Sequence, residues 1–289
     1  MLDLTTVAKV LLYAGATVAI GEVVLPASTW PAASPTVSST SSSGSSSSRR
    51  VLRVGAAIAQ LLAPLIWLQA QLSALDIPWP EAGTLLGSGW GRNWGPLAIA
   101  CAVAAVALPR LFGRFSTPLL WVGAVAVGLA MGGLGHANAD EQWPVGARAL
   151  DAMHVLTMGA WIGALVLALA DDRTGAGAVA EAAAAAPARW RRVSWIATIA
   201  APLAAITGVL SSLRVLGAAT PASVVASPYG RLLLAKAVIV LTILALGATQ
   251  RRRVHAGDTP TGNTVRFEVA LAVVVILLTA ILTGSEPPE

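Results

Sequence analysis

The chain has 289 residues, of which 56% are hydrophobic and only 11% are charged, and its formal net charge is +5. Soluble domains carry about 25% charged residues, so the composition excludes an ordinary soluble protein. The basic excess would suit a nucleic-acid-binding protein, but the arginines lie in short loops between apolar runs. That arrangement is typical of the cytoplasmic loops of membrane proteins, so we expect membrane lipids and no nucleic acid around this chain.

Eight apolar runs follow one another along the chain, most of them about 20 residues long, the length that crosses a hydrocarbon core as a helix. The predicted fold class is therefore all-α, a polytopic transmembrane helix bundle of about eight spans. The third run is the shortest and reaches spanning length only if it starts near Trp90. The predicted spans are residues 4–25, 51–75, 95–108, 117–134, 147–170, 193–213, 229–249 and 264–283.

Two segments between the spans have a distinctive composition. Residues 34–48 are mostly serine and predict a flexible linker. An alanine-rich stretch near Glu181 favours a helix, but Pro187 interrupts it, so we expect a loop there. The chain divides into residues 1–33 for the first span and its exit, 34–50 for a Ser-rich cytoplasmic linker, 51–134 for spans two to four, and 135–289 for spans five to eight.

The distribution of arginine predicts the orientation of the bundle. Loops that follow the odd-numbered spans carry 13 arginines, whereas the opposite loops carry 4. Because basic loops stay in the cytoplasm, both termini are predicted to be extracytoplasmic. Glu22 and Glu268, near the inner ends of spans one and eight, are then expected to pair with the basic residues 251–253. A cytoplasmic ion exit is the alternative role for these two carboxylates.

The two halves of the sequence share a short motif. Aromatic-Gly-Arg triplets at residues 90–92 and 229–231 are 139 residues apart, and each leads into a span from the outer side. The same shift overlays span two on span six and places span three within span seven. The triplets therefore favour a parallel 4+4 repeat about an axis along the membrane normal, although two such triplets also arise by chance.

The residues best suited to chemistry lie around the fifth span. Two of the three histidines, His136 and His154, lie there, and an ionisable residue inside a membrane segment is a functional candidate by default. Asp151, His154 and Met158 share one stripe of the fifth helix at i, i+3 and i+7. We predict a metal site in which His136 and His154 are ligands and Asp151 either shares the metal or orients His154. Met158 would add a thioether that suits Cu(I).

Simpler roles stay open for several of these residues. His154 would also suit a hydrogen-bonded structural histidine, and Met158 would suit helix packing. Asp140 and Glu141 are expected to be solvated loop charges near the entrance, and His255 is expected to be a surface residue on the cytoplasmic side.

Three segments of the second half resemble the CopD-type copper-resistance membrane proteins. They are a Gly-His-Ala element at residues 135–137, His154 followed by Trp161-Ile162-Gly163, and a Tyr-Gly-Arg-x-Leu-Leu-x-Lys element at residues 229–236. The resemblance makes residues 135–289 a CopD-like core and covers the first half only by its number of spans. It implies an inner-membrane protein for copper uptake or tolerance, which works with a separate periplasmic copper-binding protein of the CopC type.

The histidines and the resemblance together predict a copper-handling protein of the bacterial inner membrane. We expect it to accept copper ion, in an oxidation state the sequence does not specify, at the periplasmic face and to import it to the cytoplasm. No P-loop or phosphorylation-type aspartate segment is present, so we expect transport to be passive or coupled to a gradient. We do not expect the protein to be an enzyme. Two alternatives stay open: a haem-binding electron-transfer protein with His136 and His154 as axial ligands, and a non-transporting membrane scaffold.

Overall fold

The structure is a computed structural model that describes residues 3–26, 47–133, 143–171, 179–260 and 262–288. These residues form ten α-helices and two short 3-10 turns, and no strand occurs among them, which confirms the all-α class. The helices are α1 (Leu4–Val24), α2 (Ser47–Ala74), α3 (Ala82–Leu86), α4 (Gly89–Ala107), α5 (Ser116–Gly132), α6 (Pro144–Asp171), α7 (Val179–Leu216), α8 (Pro221–Ala226), α9 (Pro228–His255) and α10 (Gly262–Leu282).

Within the described residues, seven helices are long and apolar enough to cross a membrane: α1, α2, α5, α6, α7, α9 and α10. The predicted third span corresponds to α4, which is not among the seven because Arg92, Asn93 and Pro96 lie in its first half. α4 nevertheless packs along α2 and α5. The indole of Trp94 in its first half donates to the carbonyl of Pro64 in the second half of α2. The two helices therefore run antiparallel, as two consecutive spans do.

A buried ion cluster shows which helix ends lie together. The carboxylate of Glu22, at the end of α1, accepts hydrogen bonds from Arg49 and Arg53 of α2 and from Arg110, which follows α4. Arg49 also donates to Asp171, the last residue of α6, at 2.8 Å. We call these five residues the Glu22 cluster. The prediction that Glu22 pairs with residues 251–253 is wrong, because three arginines of the first half already surround its oxygens.

Tight glycine contacts set the distance between α1 and α6 at the centre of the bundle. A Cβ at Gly163 of α6 would lie 2.2 Å from the carbonyl oxygen of Thr17 and 2.7 Å from the Cα of Gly21, both on α1. One turn earlier, a Cβ at Gly159 would meet the side chain of Ile20. The small-xxx-small spacing of Gly159 and Gly163 thus lets two backbones touch, as it does in other membrane helix pairs.

The order of helices in the two halves is the same: two long, one short and two long. In each half the first helix packs on the second and the fourth packs on the fifth. Ser88 caps α4 by accepting from the N–H of Gly91, and Ser227 caps α9 by accepting from the N–H of Gly230. Both glycines also press against a carbonyl of the short helix before them. These shared details, 139 residues apart, support the 4+4 repeat.

Two predicted boundaries differ from the structure. α2 begins at Ser47, so the end of the predicted 34–50 linker is helical, because Arg49 is buried in the Glu22 cluster. Residues 34–46 lie outside the described part of the chain. The loop predicted around Pro187 is wrong, since α7 runs through it from Val179. Alanine has the highest helix propensity, and the helix is held just after the proline by the buried Trp190.

Candidate metal site

The site is built on the pairing of α6 with α7, one of the most extensive helix contacts in the structure. His154 is the eleventh residue of α6, so it lies about 15 Å along the helix from Pro144 at 1.5 Å per residue. It lies about 25 Å from Asp171, which belongs to the Glu22 cluster at the other end. The imidazole is part-buried and lies closer to the end opposite the buried arginines.

Hydrogen bonds from α7 assign the tautomer of His154. The Nδ1 atom lies 2.9 Å from the carbonyl oxygen of Ala204 and 3.1 Å from the hydroxyl oxygen of Thr207. The hydroxyl of Thr207 itself donates to the carbonyl of Leu203 at 2.7 Å, so its oxygen accepts from the imidazole. Because a carbonyl can only accept, Nδ1 carries the proton, and Nε2 of the neutral ring has the lone pair that binds a metal.

Gly208 makes room for this ring. A Cβ at position 208 would lie 2.9 Å from Cε1 and 3.4 Å from Nδ1 of His154, closer than ordinary van der Waals contact. The imidazole therefore packs directly against the backbone of α7, between Ala204 and Gly208 on successive turns. Thr207, which is 4% exposed, closes the same side. The ring therefore has little freedom to rotate, so the direction of the Nε2 lone pair is fixed before a metal binds.

Asp151 does not supply the expected hydrogen bond to His154. Its carboxylate accepts from the hydroxyl of Ser211 at 2.6 Å and forms a 3.3 Å ion pair with Arg214. Both partners lie farther along α7, and they draw the carboxylate away from the ring. The orienting role predicted for Asp151 is therefore filled by Ala204 and Thr207. Whether Asp151 also ligates a metal stays a prediction.

The charged surroundings of Asp151 extend to α9. Tyr229 and Lys236, the two ends of the family-like motif, are seven residues apart and so lie on one face of α9. The charge of Asp151 interacts electrostatically with both side chains, and Lys236 also interacts with His154. Asp151 is thus the acidic centre of a group that joins α6, α7 and α9. Nothing in the spacing of the sequence indicated this group.

The remaining predicted site residues have different outcomes. Met158 is half-buried one turn after His154 and packs against the main hydrophobic core. His136 lies outside the described residues, as do Asp140 and Glu141, so the predicted approach of His136 to His154 stays a prediction. His255 is exposed on the last turn of α9, with Nδ1 donating to the carbonyl of Arg251. In the part of the chain that the structure describes, no three His, Cys, Asp or Glu side chains are grouped to hold a metal.

The residues that hold His154 in place were not predicted from the sequence. Ala204, Thr207 and Gly208 are two small residues and a hydroxyl in an apolar helix, and such residues are common in any membrane span. Their spacing of three and four residues is the only signal that they share a face of α7. Only the packing of α6 on α7 shows that this face receives the imidazole.

The comparisons with known proteins support the resemblance seen in the sequence. No curated protein and no solved structure matches the chain. The family model described as Copper resistance protein D matches residues 187–282. That segment contains Ala204, Thr207 and Gly208, which contact His154, and the motif at residues 229–236, while His154 lies just before it. Residues 187–282, from within α7 to the end of α10, are therefore similar to the family described as Copper resistance protein D.

Proposed function

We propose that this protein accepts copper at its extracytoplasmic side and carries it inward across the membrane. The proposal depends chiefly on one observation: the part-buried His154 is held against α7 with Nδ1 donating to the carbonyl of Ala204, so that Nε2 is the basic nitrogen. Imidazole nitrogen is a good ligand for copper. The helix that holds the ring belongs to the segment that matches a copper-resistance family.

Other ligands would complete the site. His136 precedes α6 and is the second imidazole in our proposal. Met158, one turn deeper than His154, offers a sulfur ligand on the side of the cytoplasm. A pair of imidazoles followed by a thioether would let copper move from a nitrogen site to a softer site as it enters the bundle.

The distribution of charge supports the inward direction. The Glu22 cluster and the basic residues 251–253 lie at the end that the arginine distribution assigns to the cytoplasm. His154 is nearer to the opposite end. By the family resemblance, a separate periplasmic protein of the CopC type would deliver copper there, and a concentration or electrochemical gradient would drive its passage.

The experiment compares His154→Ala with His255→Ala as a matched control. Copper bound to the purified full-length protein in detergent and copper accumulated by cells that express it are measured in parallel. We expect His154→Ala to weaken copper binding by more than about 100-fold, because even a hydrogen-bond partner of a metal ligand is worth about 10–100-fold. His255→Ala removes an exposed imidazole on the last turn of α9 and should bind and accumulate copper as the unaltered protein does.

Other outcomes lead to the alternatives. Unchanged copper binding and accumulation in His154→Ala would contradict the proposal and leave His154 with a structural role in a scaffold. An absorption spectrum of the purified protein covers the remaining alternative, because bound haem would give an intense Soret band that copper does not produce.

A further inference from the structure

A second polar site lies at the other end of the same helices. A partly open cavity of about 250 Å³ lies between α6, α7, α9 and α10, close to the basic residues 251–253. Most of its wall is apolar, with Trp161 and Trp190 among the lining residues. Five polar side chains from three helices also line it: Ser194 and Thr198 of α7, Gln250 and Arg251 of α9, and Glu268 of α10. We call this space the Glu268 cavity.

Three polar side-chain atoms of this cavity lack hydrogen-bond partners among the described residues. Glu268 is 3% exposed and Gln250 is 8% exposed. Among the described residues, no hydrogen-bond donor contacts Oε1 of Glu268 or Oε1 of Gln250, and the buried hydroxyl of Ser194 is also unpaired. The sequence predicted that Glu268 would pair with residues 251–253, and this is wrong. Arg251 lines the cavity but is exposed, and it forms no ion pair with Glu268 in the described structure.

Burial without partners is costly for these groups. An acceptor that is buried without a donor loses the hydrogen bonds it makes with water, and a carboxylate loses more than a neutral oxygen does. Two of the three groups are acceptor oxygens, and the third is a hydroxyl that can also accept. A cation satisfies all three at once, whereas an anion or a second acceptor satisfies none of them well. An ionisable residue in a membrane helix commonly marks an ion site for the same reason.

The charge and the type of the donor atoms narrow the choice of cation. Oxygen ligands suit hard cations and are poor ligands for Cu(I), so the Glu268 cavity differs from the site at His154. One carboxylate balances one positive charge, and a divalent ion would leave an uncompensated charge inside the bundle. The volume holds a small ion with several waters, because each water takes about 30 Å³.

We propose that the Glu268 cavity binds one Na⁺, with Glu268, Gln250 and Ser194 supplying its oxygen ligands. Trp161, two turns after His154 on α6, lies in the wall of this cavity, so the two sites share a helix. This proposal does not require that the protein transports copper, because the two sites have no ligand in common and each can be measured in a variant that lacks the other.

The test measures binding of ²²Na⁺ to the purified full-length protein in detergent. We expect saturable binding of one ion per chain that unlabelled Na⁺ displaces and N-methylglucamine does not. Glu268→Gln keeps the shape of the side chain but removes its charge, and we expect about 10–100-fold weaker binding, the equivalent of one charged hydrogen-bonding group. Asp258→Asn removes a carboxylate from an exposed position between α9 and α10 and should leave binding unchanged.

Ser194→Ala provides a second variant in case Glu268→Gln does not fold. It removes one neutral oxygen and should weaken sodium binding about tenfold. Absence of saturable binding in the unaltered protein, or equal binding in Glu268→Gln, would overturn the proposal. His154→Ala should still bind Na⁺, and Glu268→Gln should still bind copper, so failure of one site is distinguishable from failure of the other.

Discussion

At His154, two acceptors on α7 decide which ring nitrogen carries the proton. The carbonyl of Ala204 and the hydroxyl of Thr207 both accept from Nδ1, and Gly208 lets the ring lie against the helix. In many metal sites a carboxylate orients the ligating imidazole, and here these two acceptors of α7 orient it. The carboxylate of Asp151 is then available to accept from the hydroxyl of Ser211 and to form an ion pair with Arg214.

The contact with Gly208 gives a test at the scale of one residue. In Gly208→Ala the new methyl group would lie 2.9 Å from Cε1 of His154, so the ring must move from its hydrogen bonds. We expect about 10–100-fold weaker copper binding with little change in helix content, because only the orientation of a ligand is lost. Copper titration and circular dichroism of the purified variant measure these two quantities.

The control for this variant is Gly55→Ala, on α2, where a Cβ would meet no atom within 4 Å. It should bind copper as the unaltered protein does. Equal copper affinity in Gly208→Ala would show that the ring position does not matter for the metal.

At the scale of helices, α1 and α6 form the central contact between the two halves. Their closest approach is at Gly21 and Gly163, where backbone meets backbone. A membrane offers no hydrophobic driving force between helices, so this close fit contributes through van der Waals contact. The position of His154 on α6 depends on the same fit, because α6 packs on α1 along one face and on α7 along another.

Substitution at Gly163 tests this contact. In Gly163→Ala the Cβ would lie 2.2 Å from the carbonyl oxygen of Thr17, and neither backbone can yield without separating the helices. We expect a loss of about 1–3 kcal/mol of stability, the usual cost of overpacking a tight interior. Gly159→Ala should lose less, since its Cβ meets mainly the flexible end of Ile20.

Unfolding of the two variants in detergent, followed by tryptophan fluorescence, gives the comparison. A larger loss of stability in Gly159→Ala than in Gly163→Ala would contradict the assignment of Gly163 as the tighter contact.

At the scale of the whole molecule, the two halves place equivalent elements on the same side. α3 and α8 are short helices before α4 and α9, and each is held against the next helix by the glycine of an aromatic-Gly-Arg triplet. The Glu22 cluster lies at the opposite end and joins α1, α2 and α6. This arrangement separates a basic end from an end that carries few arginines.

Labelling with an impermeant thiol reagent tests this orientation. Glu81→Cys and Thr220→Cys occupy equivalent exposed positions before α3 and α8, and both should react in intact cells. Asp258→Cys, exposed on the basic side, should react only after the membrane is opened. The native Cys101 is buried and should give no background. Reaction of Asp258→Cys in intact cells would reverse the orientation.

The sequence alone determined the class of fold, the approximate spans and the resemblance of the second half to a copper-resistance family. Runs of apolar residues specify membrane helices locally, so each predicted span falls on one helix. The bounds agree less well at α7, which begins at Val179 and not near 193, and α4 is not among the seven helices apolar enough to cross a membrane. The resemblance in the second half is confirmed over residues 187–282. The structure and the family comparison agree with these predictions because each prediction depends on residues close together in the chain or on a motif. None of them depends on which helices pack together.

Only the tertiary structure decided which polar groups are partners. Glu22 was expected near residues 251–253 but pairs with Arg49, Arg53 and Arg110. Glu268 lines a cavity together with Arg251 but forms no ion pair with it in the described structure. Asp151, one turn away on the same helix, was expected either to orient His154 or to share its metal, but the ring is oriented by Ala204 and Thr207 of α7. Inside a bundle, a polar side chain takes the partner that packing brings within about 3 Å, and helices far apart in sequence supply most of those partners.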